Sequence, residues 1–427
     1  MKRFLSKIIP QALKNIYHLA QAIVACLCFG FPGKKLRVIG VTGTNGKTTT
    51  TQFIARILER AGKKVAVAST INFQIGEKKW VNASKFTTLS SWQLQRFLRE
   101  AAEAGCEYVV LETSSHALDQ HRVWGVHYAV GVMTNVTREH LDYHKTMEGY
   151  RRAKRTLFLR AKRAVINLDM EDPDYFQIAS QQPALFYSTK DPQAALFAEK
   201  IELDFDGTSF VADGTQFRLN IPGLFNIENA LAALGVARLL DIDFLVAQKA
   251  LASVTGVPGR MELVPNAIGA DIIIDYAVTP DAFEKLYASI LPLKIPGTRI
   301  IHVFGACGER DRGKRPLLGE IASGSADTVI LTNEDPYYED PEQIIDDIER
   351  GVTKKKLARP SGGGKDYFRI FDRRAAIRKA LSLAERGDIV LITGKGAEET
   401  MAAGALRLPW NERQVIEEEL AGLDAQQ

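Results

Sequence analysis

Cysteine is scarce in this 427-residue chain: Cys26, Cys28, Cys106 and Cys307 lie scattered, with no CxxC pair. That excludes a disulfide scaffold or a zinc ribbon and fits a reducing cytosol. A surplus of one charge is also missing. Fifty-five Lys and Arg against 51 Asp and Glu leave +4, too little over this length to argue for nucleic acid. No internal repeat is visible, and 33 Gly with 16 Pro are far from a collagen-like or disordered composition. What is present is an ordinary soluble balance, 46% hydrophobic and 25% charged. At about 150 residues per domain, the length holds more than one hydrophobic core.

The N-terminus carries one apolar run, HLAQAIVACLCFGF at 18–31, preceded by Lys2, Arg3, Lys7 and Lys14. It is shorter than the roughly 20 residues that cross a bilayer. No small-residue cleavage site follows it. The run predicts a helix buried against the body, with peripheral contact of residues 1–31 with an anionic membrane as the alternative.

From residue 36 onward, short β-branched runs alternate with helical periodicity. Leu36–Val41, Lys64–Ser69, Tyr108–Glu112, Val130–Asn135 and Ala164–Asn167 read as strands, and 48–61 and 92–104 as helices. That alternation implies a mostly parallel sheet with helices on both faces. Ser209–Val211 and Gln216–Ile221, with Asp-Gly turns before each, predict an antiparallel patch appended to the sheet. After a linker at Gly256–Gly259, a second α/β series runs to Asp388–Thr393. The expected architecture is a helical segment at 1–35, a central α/β domain at 36–256 and a Rossmann-like α/β domain at 257–427. Ser361–Lys365 resembles a phosphate loop in composition only and reads as an exposed loop.

The strongest local signal is Thr42-Gly43-Thr44-Asn45-Gly46-Lys47-Thr48-Thr49-Thr50, between a predicted strand and a predicted helix. Glycines let backbone N–H groups close around phosphate oxygens, Lys47 adds a point charge and Thr48 a hydroxyl for Mg²⁺. Val41 stands where the strict motif has its first Gly, so this is a variant loop. Glu112 ends an apolar strand, where an acid beside phosphates suits Mg²⁺. Chemistry alone leaves His140 open between metal ligand and helix-start surface residue. It reads Lys154, in RRAKR, as part of a solvated basic face, and Arg310 as a surface salt bridge within ERDRGKR.

Longer stretches resemble the Mur ligases: TGTNGKTTT (42–50), LETSSHALDQHR (111–122), TNVTREHLDYH (134–144), RRAKRTLF (151–158), FNIENALAA (225–233), GRME (259–262), DYAVTPDAFEKL (275–286), FGACGERDRGKRPLLG (304–319) and TGKGAEET (393–400). The resemblance covers about residues 28–420. It implies a cytoplasmic ATP- and Mg²⁺-dependent amide ligase of peptidoglycan synthesis, and with it a role in cell shape and division. The branch it points to adds the third amino acid to the muramoyl-L-Ala-D-Glu stem peptide through an acyl phosphate, releasing ADP and phosphate. It implies ATP contacts from Gly43, Thr44, Asn45, Gly46, Lys47, Thr48, Thr49, Asn135, Arg260 and Asp275. Thr48, Glu112, His140 and a carbamylated Lys154 would serve the metal, with Arg151 and Arg155 keeping that lysine unprotonated. Thr87, Thr88, Ser114, Gln120 and Arg122 would hold the muramoyl-dipeptide. Arg310, Gly394 and Glu398 would hold the incoming amino acid, with Glu334, Asp335 and Tyr337 selecting it.

The sequence departs from the family's pattern at three places. The family's uridine-nucleotide domain is matched only by about residues 18–36, so an acceptor without UDP, or one linked to lipid, is a rival within the same class. Val278 and Ala397 stand where the family has His, which leaves a nucleotide-binding scaffold without catalysis as the rival of another class. Glu334-Asp335-Pro336-Tyr337 replaces the DNPR of the diaminopimelate-adding members. Without that Arg, and with two acids beside it, the expected amino acid is L-lysine.

Overall fold

The computed structural model describes residues 10–82, 86–177, 183–354 and 366–424. Nine strands, β1 (Arg37–Thr42), β2 (Val65–Ala68), β3 (Asn72–Ile75), β4 (Lys78–Val81), β5 (Tyr108–Glu112), β6 (Tyr128–Met133), β7 (Ala161–Asn167), β8 (Leu185–Ser188) and β9 (Leu196–Phe197), form one sheet. Their order is β4-β3-β2-β5-β1-β6-β7-β8-β9. From β2 to β9 every pairing is parallel, while β3 and β4 add an antiparallel edge. The central strands β5 and β6 read as continuous apolar runs because both of their faces are covered. Helices Lys47–Arg60, Leu224–Leu239 and Phe244–Ala252 pack on one face. Ser91–Glu103 and Met147–Phe158 pack on the other.

The expected antiparallel patch is present but is not an extension of that sheet. β10 (Glu199–Asp204), β11 (Gly207–Ala212) and β12 (Thr215–Leu219) form a separate three-stranded sheet. Alternate side chains, including Phe210, Phe217 and Leu219, point into the core shared with the helix Leu224–Leu239. The patch is therefore anchored by packing rather than by edge hydrogen bonds.

A second sheet follows from β13 (Glu262–Val264), β14 (Asp271–Asp275), β15 (Ile300–Phe304), β16 (Thr328–Leu331), β17 (Asp366–Arg369) and β18 (Ile389–Thr393), in the order β13-β14-β18-β15-β16-β17. All its pairings are parallel except β13–β14. Helices Pro280–Ile290, Arg315–Ser325 and Pro341–Lys354 cover one face, and Arg373–Leu383 with Glu412–Asp424 the other. A last hairpin, β19 (Thr400–Ala403) and β20 (Leu406–Pro409), stands apart.

Two expectations about connections change. Gly256–Gly259 is a packed turn rather than a free linker: Val257 is buried and bridges to Arg260. Gly259, at φ +66°, lies so close to the chain that a Cβ there would sit 2.1 Å from the Ala397 nitrogen. The Ser361–Lys365 loop lies outside the described residues. At the N-terminal end, the helix Gln11–Phe29 begins well before the apolar run and stops at Gly30 in the left-handed region. It lies on the helix Ser91–Glu103; Ala22, Ala25 and Cys26 are buried, and Cys26 Sγ donates to the Trp124 carbonyl. Among the described residues, no helix is long and apolar enough to cross a membrane.

Candidate active site

The carboxyl ends of β1, β5 and β6, side by side at the middle of the first sheet, bring three loops together, as parallel sheets do at their ligand sites. After β1 the chain turns through Gly43–Gly46 into the helix Lys47–Arg60. Gly46 has φ +81°, and a Cβ there would meet Asn229 Oδ1 at 2.2 Å. No other residue fits that turn without strain. The loop is braced from β6: Asn45 N donates to Asn135 Oδ1 at 2.9 Å, and Thr44 N to the Asn135 carbonyl at 2.9 Å. Lys47 Nζ donates to the carbonyls of Gly43 (3.1 Å) and Thr44 (2.8 Å). Burial draws its ammonium below the usual lysine range, and Glu112 opposes that shift.

Glu112, at the end of β5, is buried and fully hydrogen-bonded. Its Oε2 accepts from Thr48 Oγ1 (3.1 Å) and Thr70 N (2.8 Å), and its Oε1 from Thr70 Oγ1 (2.9 Å). Thr70 carried no sequence signal. It follows β2 and also reaches Thr87, whose Oγ1 lies 3.1 Å away. Glu139 is a second buried carboxylate. Its Oε1 accepts from Lys314 at 3.1 Å, and its Oε2 has no partner. It was legible only as a neighbour of His140.

Lys154 is 1% exposed, so a solvated face is not its place. It lies beneath the loop, donating to the Gly43 carbonyl at 2.6 Å, with its ammonium 4.5 Å from the Tyr150 ring centre. Its pKa falls well below the usual lysine range, but not for the expected reason. Burial and then Lys47 depress it, whereas Arg151 is bonded to Asp172 and both Arg151 and Arg155 stack on Tyr175. His140, with φ +57°, opens a short helical turn and packs edge-on to His116 at 4.6 Å between ring centres. Burial holds both imidazoles neutral, His116 down to about 3.

The donor set suits a hard cation. Thr48 and Glu112 offer oxygens beside the phosphate loop, Glu139 has a spare carboxylate oxygen, and His140 is neutral. Among the described residues, no three His, Cys, Asp or Glu side chains stand close enough to hold a metal by themselves. The set fits Mg²⁺ when phosphate oxygens and water complete the shell.

Opposite the loop stands the second sheet. Thr279 caps the helix Pro280–Ile290, and Asn45 Nδ2 reaches across to Thr279 Oγ1 (3.4 Å) and Asp281 Oδ2 (2.7 Å). Between the two units lies a cleft of about 280 Å³, lined by Thr44–Thr49, Thr70, Thr87, Glu112, Asn135 and His140 on one side. Arg260, Asp275, Arg310, Glu334, Asp335, Tyr337 and Glu398 line the other. Arg260 stacks on Tyr276 at 4.4 Å, and Asp275 Oδ2 accepts from Met261 N at 2.8 Å. Arg310 has no carboxylate within ion-pair distance among the described residues, so it is not the surface salt bridge its sequence context suggests.

Glu334 is 5% exposed, its Oε2 lacks a partner, and burial raises its carboxyl to about 7. Gly394 (φ +111°) lies against it, with room for no side chain. Asp335 is already engaged by Lys395 Nζ (3.0 Å) and Ala402 N (2.7 Å), and Glu398 is bonded to the same lysine. Tyr337, at φ +51°, is tied to the β19–β20 hairpin, and the Arg407 guanidinium lies 5.2 Å from its ring centre. Neither Arg373 nor Arg374 lines the cleft. Arg373 is buried against Glu412 and the Thr393 carbonyl, and Arg374 pairs with Glu418 and Glu419.

Thr88, Ser114, Gln120 and Arg122 do not line the cleft either. They form an adjoining polar cluster: Ser114 N donates to Thr88 Oγ1 (2.9 Å), Arg122 to Gln120 (2.8 Å) and to the Thr88 carbonyl (3.4 Å). Thr87 joins that cluster to the cleft. Val278 lines the cleft, and Ala397 lines two other cavities, of about 70 and about 520 Å³.

Residues 41–237 match the Mur ligase middle domain, and residues 259–396 the Mur ligase glutamate ligase domain. A UDP-N-acetylmuramyl-tripeptide synthetase from Roseiflexus sp. (strain RS-1) is 40% identical over 429 residues, covering 95% of this chain and 82% of that protein. A UDP-N-acetylmuramoyl-L-alanyl-D-glutamate–2,6-diaminopimelate ligase from Syntrophomonas wolfei is 40% identical over 415 residues, covering 94% and 82%. A solved structure of a ligase of that same description superposes with a TM-score of 0.62 at 34% identity, covering 91% of this chain and 79% of its own. All the cleft residues named above except Glu398 fall within matched segments, and the chain belongs to the Mur ligase family of ATP-dependent amide ligases.

Proposed function

We propose that this protein adds the third amino acid to a muramoyl-L-Ala-D-Glu acceptor, with 36–256 as its ATP-binding unit and 257–427 as its amino-acid-binding unit. The observation that carries this reading is the shared cleft: Lys47, Thr48 and Glu112 on one wall face Arg310 and Glu334 on the other. Lys47 and the amides at the start of its helix bind the terminal phosphates of ATP. An acceptor carboxylate oxygen attacks the γ-phosphorus, ADP departs and an acyl phosphate forms. The amino acid's neutral amine then attacks the carbonyl carbon, expels phosphate and loses a proton. Thr48, Glu112 and His140, with Glu139 beside them, would hold Mg²⁺, which would supply charge neutralisation at the phosphates. Burial and the nearby Lys47 draw the Lys154 amine well below the usual lysine range, which favours addition to CO₂ to give a carbamate after loss of a proton. Thr87, Thr88, Ser114, Gln120 and Arg122 take the acceptor.

For the amino acid, Arg310 takes the α-carboxylate and the spare oxygen of Glu334 takes an ammonium. A distal carboxylate would face Tyr337 rather than an arginine, which favours L-lysine. Relatives are named for 2,6-diaminopimelate, so the contrast is direct. ADP release with muramoyl-L-Ala-D-Glu and a panel of amino acids tests it. Lysine should be the best partner, and turnover that needs no acceptor would refute the ligase reading.

A further inference from the structure

We propose that the N-terminal helix Gln11–Phe29 is a docking element for an anionic phospholipid surface. The helix is apolar on both sides, and only one side is covered. Ala22, Ala25 and Cys26 are buried against the body, while Leu13, Ile16, Tyr17, Val24 and Leu27 are 47–64% exposed. At 100° per residue those five fall within an arc of about 100°, a stripe running the length of the helix. Trp92, 42% exposed, extends it at the C-terminal end through edge-on contact with Phe29.

Charge selects the occupant. The first acidic residue of the chain is Glu59, whereas Lys2, Arg3, Lys7, Lys14, Lys34 and Lys35 all precede it, so the stripe lies in a segment of one sign. Lys34 and Lys35 are exposed on the short turn that follows the helix. An apolar face with cations around it and aromatic side chains at its edge matches an interfacial helix lying in the headgroup layer. It does not span, because no described helix is long and apolar enough to do so. The helix is also fixed to the catalytic body: Asn15 Nδ2 donates to Asp119 at 3.0 Å and Gln11 Nε2 to Tyr143 Oη at 2.8 Å. Tyr143 in turn lies 3.2 Å from Gln120 of the polar cluster. Docking would therefore hold the mouth of that cluster at the lipid surface.

Co-sedimentation of the full chain with vesicles tests this without reference to ligase activity. Binding is expected to vesicles of equal parts phosphatidylglycerol and phosphatidylcholine, and to be weak with phosphatidylcholine alone. Ile16→Glu with Val24→Glu should reduce binding at least about tenfold and leave the melting temperature and ATP turnover unchanged, since both side chains are exposed. Lys34→Gln with Lys35→Gln should weaken binding and flatten its salt dependence. No binding to anionic vesicles, equal binding to both kinds, or unaltered binding by both double variants would overturn the proposal. So would a dimer in sedimentation velocity that the Ile16 and Val24 changes dissociate, because a second copy would then cover the stripe.

Discussion

Replacing Glu334 by Gln should stabilise the protein at alkaline pH while weakening its hold on the amino acid. Burial raises the Glu334 carboxyl from 4.5 to about 7. The unfolded chain loses this proton above pH 4.5, while the folded chain keeps it until about 7, so wild-type stability falls as pH rises through that window. At about 1.4 kcal/mol per tenfold change in proton affinity, the loss between about pH 5 and about pH 8 is about 2.5 kcal/mol. The amide that replaces the carboxyl in the Glu334→Gln variant cannot titrate, and Glu334 Oε2 has no partner for that amide to forfeit. Urea denaturation of both proteins at the two pH values isolates the effect, since any packing cost of the amide is the same at each. Glu334→Gln should gain about 2.5 kcal/mol on wild type as pH rises. In turnover assays its KM for the amino acid should rise about tenfold to a hundredfold, the worth of a charged hydrogen bond. Wild-type kcat/KM should rise as pH passes about 7 and the Glu334 carboxyl ionises, and the variant should lack that rise. Equal stability differences at both pH values would refute the strained carboxylate, and an unchanged KM would refute its role in binding.

Lys47→Ala should lower ATP turnover by about a hundredfold to a thousandfold, because its charge matters most as the phosphoryl group moves; full product formation would remove the loop from the mechanism. Lys154→Ala should be similarly slow and recover in part with added short carboxylates, which can occupy the place of a carbamate. Loss without any rescue would leave the lysine a purely structural brace for Gly43. Tyr337→Arg should shift preference from lysine towards meso-diaminopimelate, read as the ratio of kcat/KM values. If the wild type already prefers meso-diaminopimelate, the selecting cation lies elsewhere, and Arg407 beside the Tyr337 ring is the first residue to replace.

Much of this architecture is legible because long buried runs write their period into the sequence. Tyr108–Glu112 can be read to the residue, since each of its positions is buried. The β3–β4 hairpin cannot, because all four residues of β4 are exposed and two are lysines. The site divides along similar lines. Gly46 and Lys47 announce themselves through a local backbone requirement, and Glu112 through its place at a strand end. Thr70 and Lys395 act through partners 42 and 60 residues away, and nothing local marks such contacts. Lys154 shows the opposite limit: its neighbours in sequence point to a basic surface, while the helix turns only that lysine inward.

The charges of the cleft can be sorted by what they still have to offer. Among its acids, Glu139 is paired with Lys314, Glu228 with Lys285, and Asp335 and Glu398 share Lys395. Glu112 is held by hydroxyls and an amide alone, and Glu334 has no cation within ion-pair distance among the described residues. Of the cations, Lys47 is bonded only to carbonyls of its own loop, and Arg310 to no carboxylate. Paired groups fix the walls, and the unpaired ones retain capacity for a ligand of opposite sign. The first wall thus presents Glu112 with Lys47, and the second Glu334 with Arg310, beside Asp275, which accepts from the Met261 amide, and Arg260, which stacks on Tyr276 and donates to the Gly259 carbonyl. A metal-bound polyphosphate needs a carboxylate and a lysine on one side, and a zwitterionic amino acid needs a carboxylate and a guanidinium on the other. The pattern of pairing, more than the inventory of charged residues, supports assigning the two walls to the two substrates.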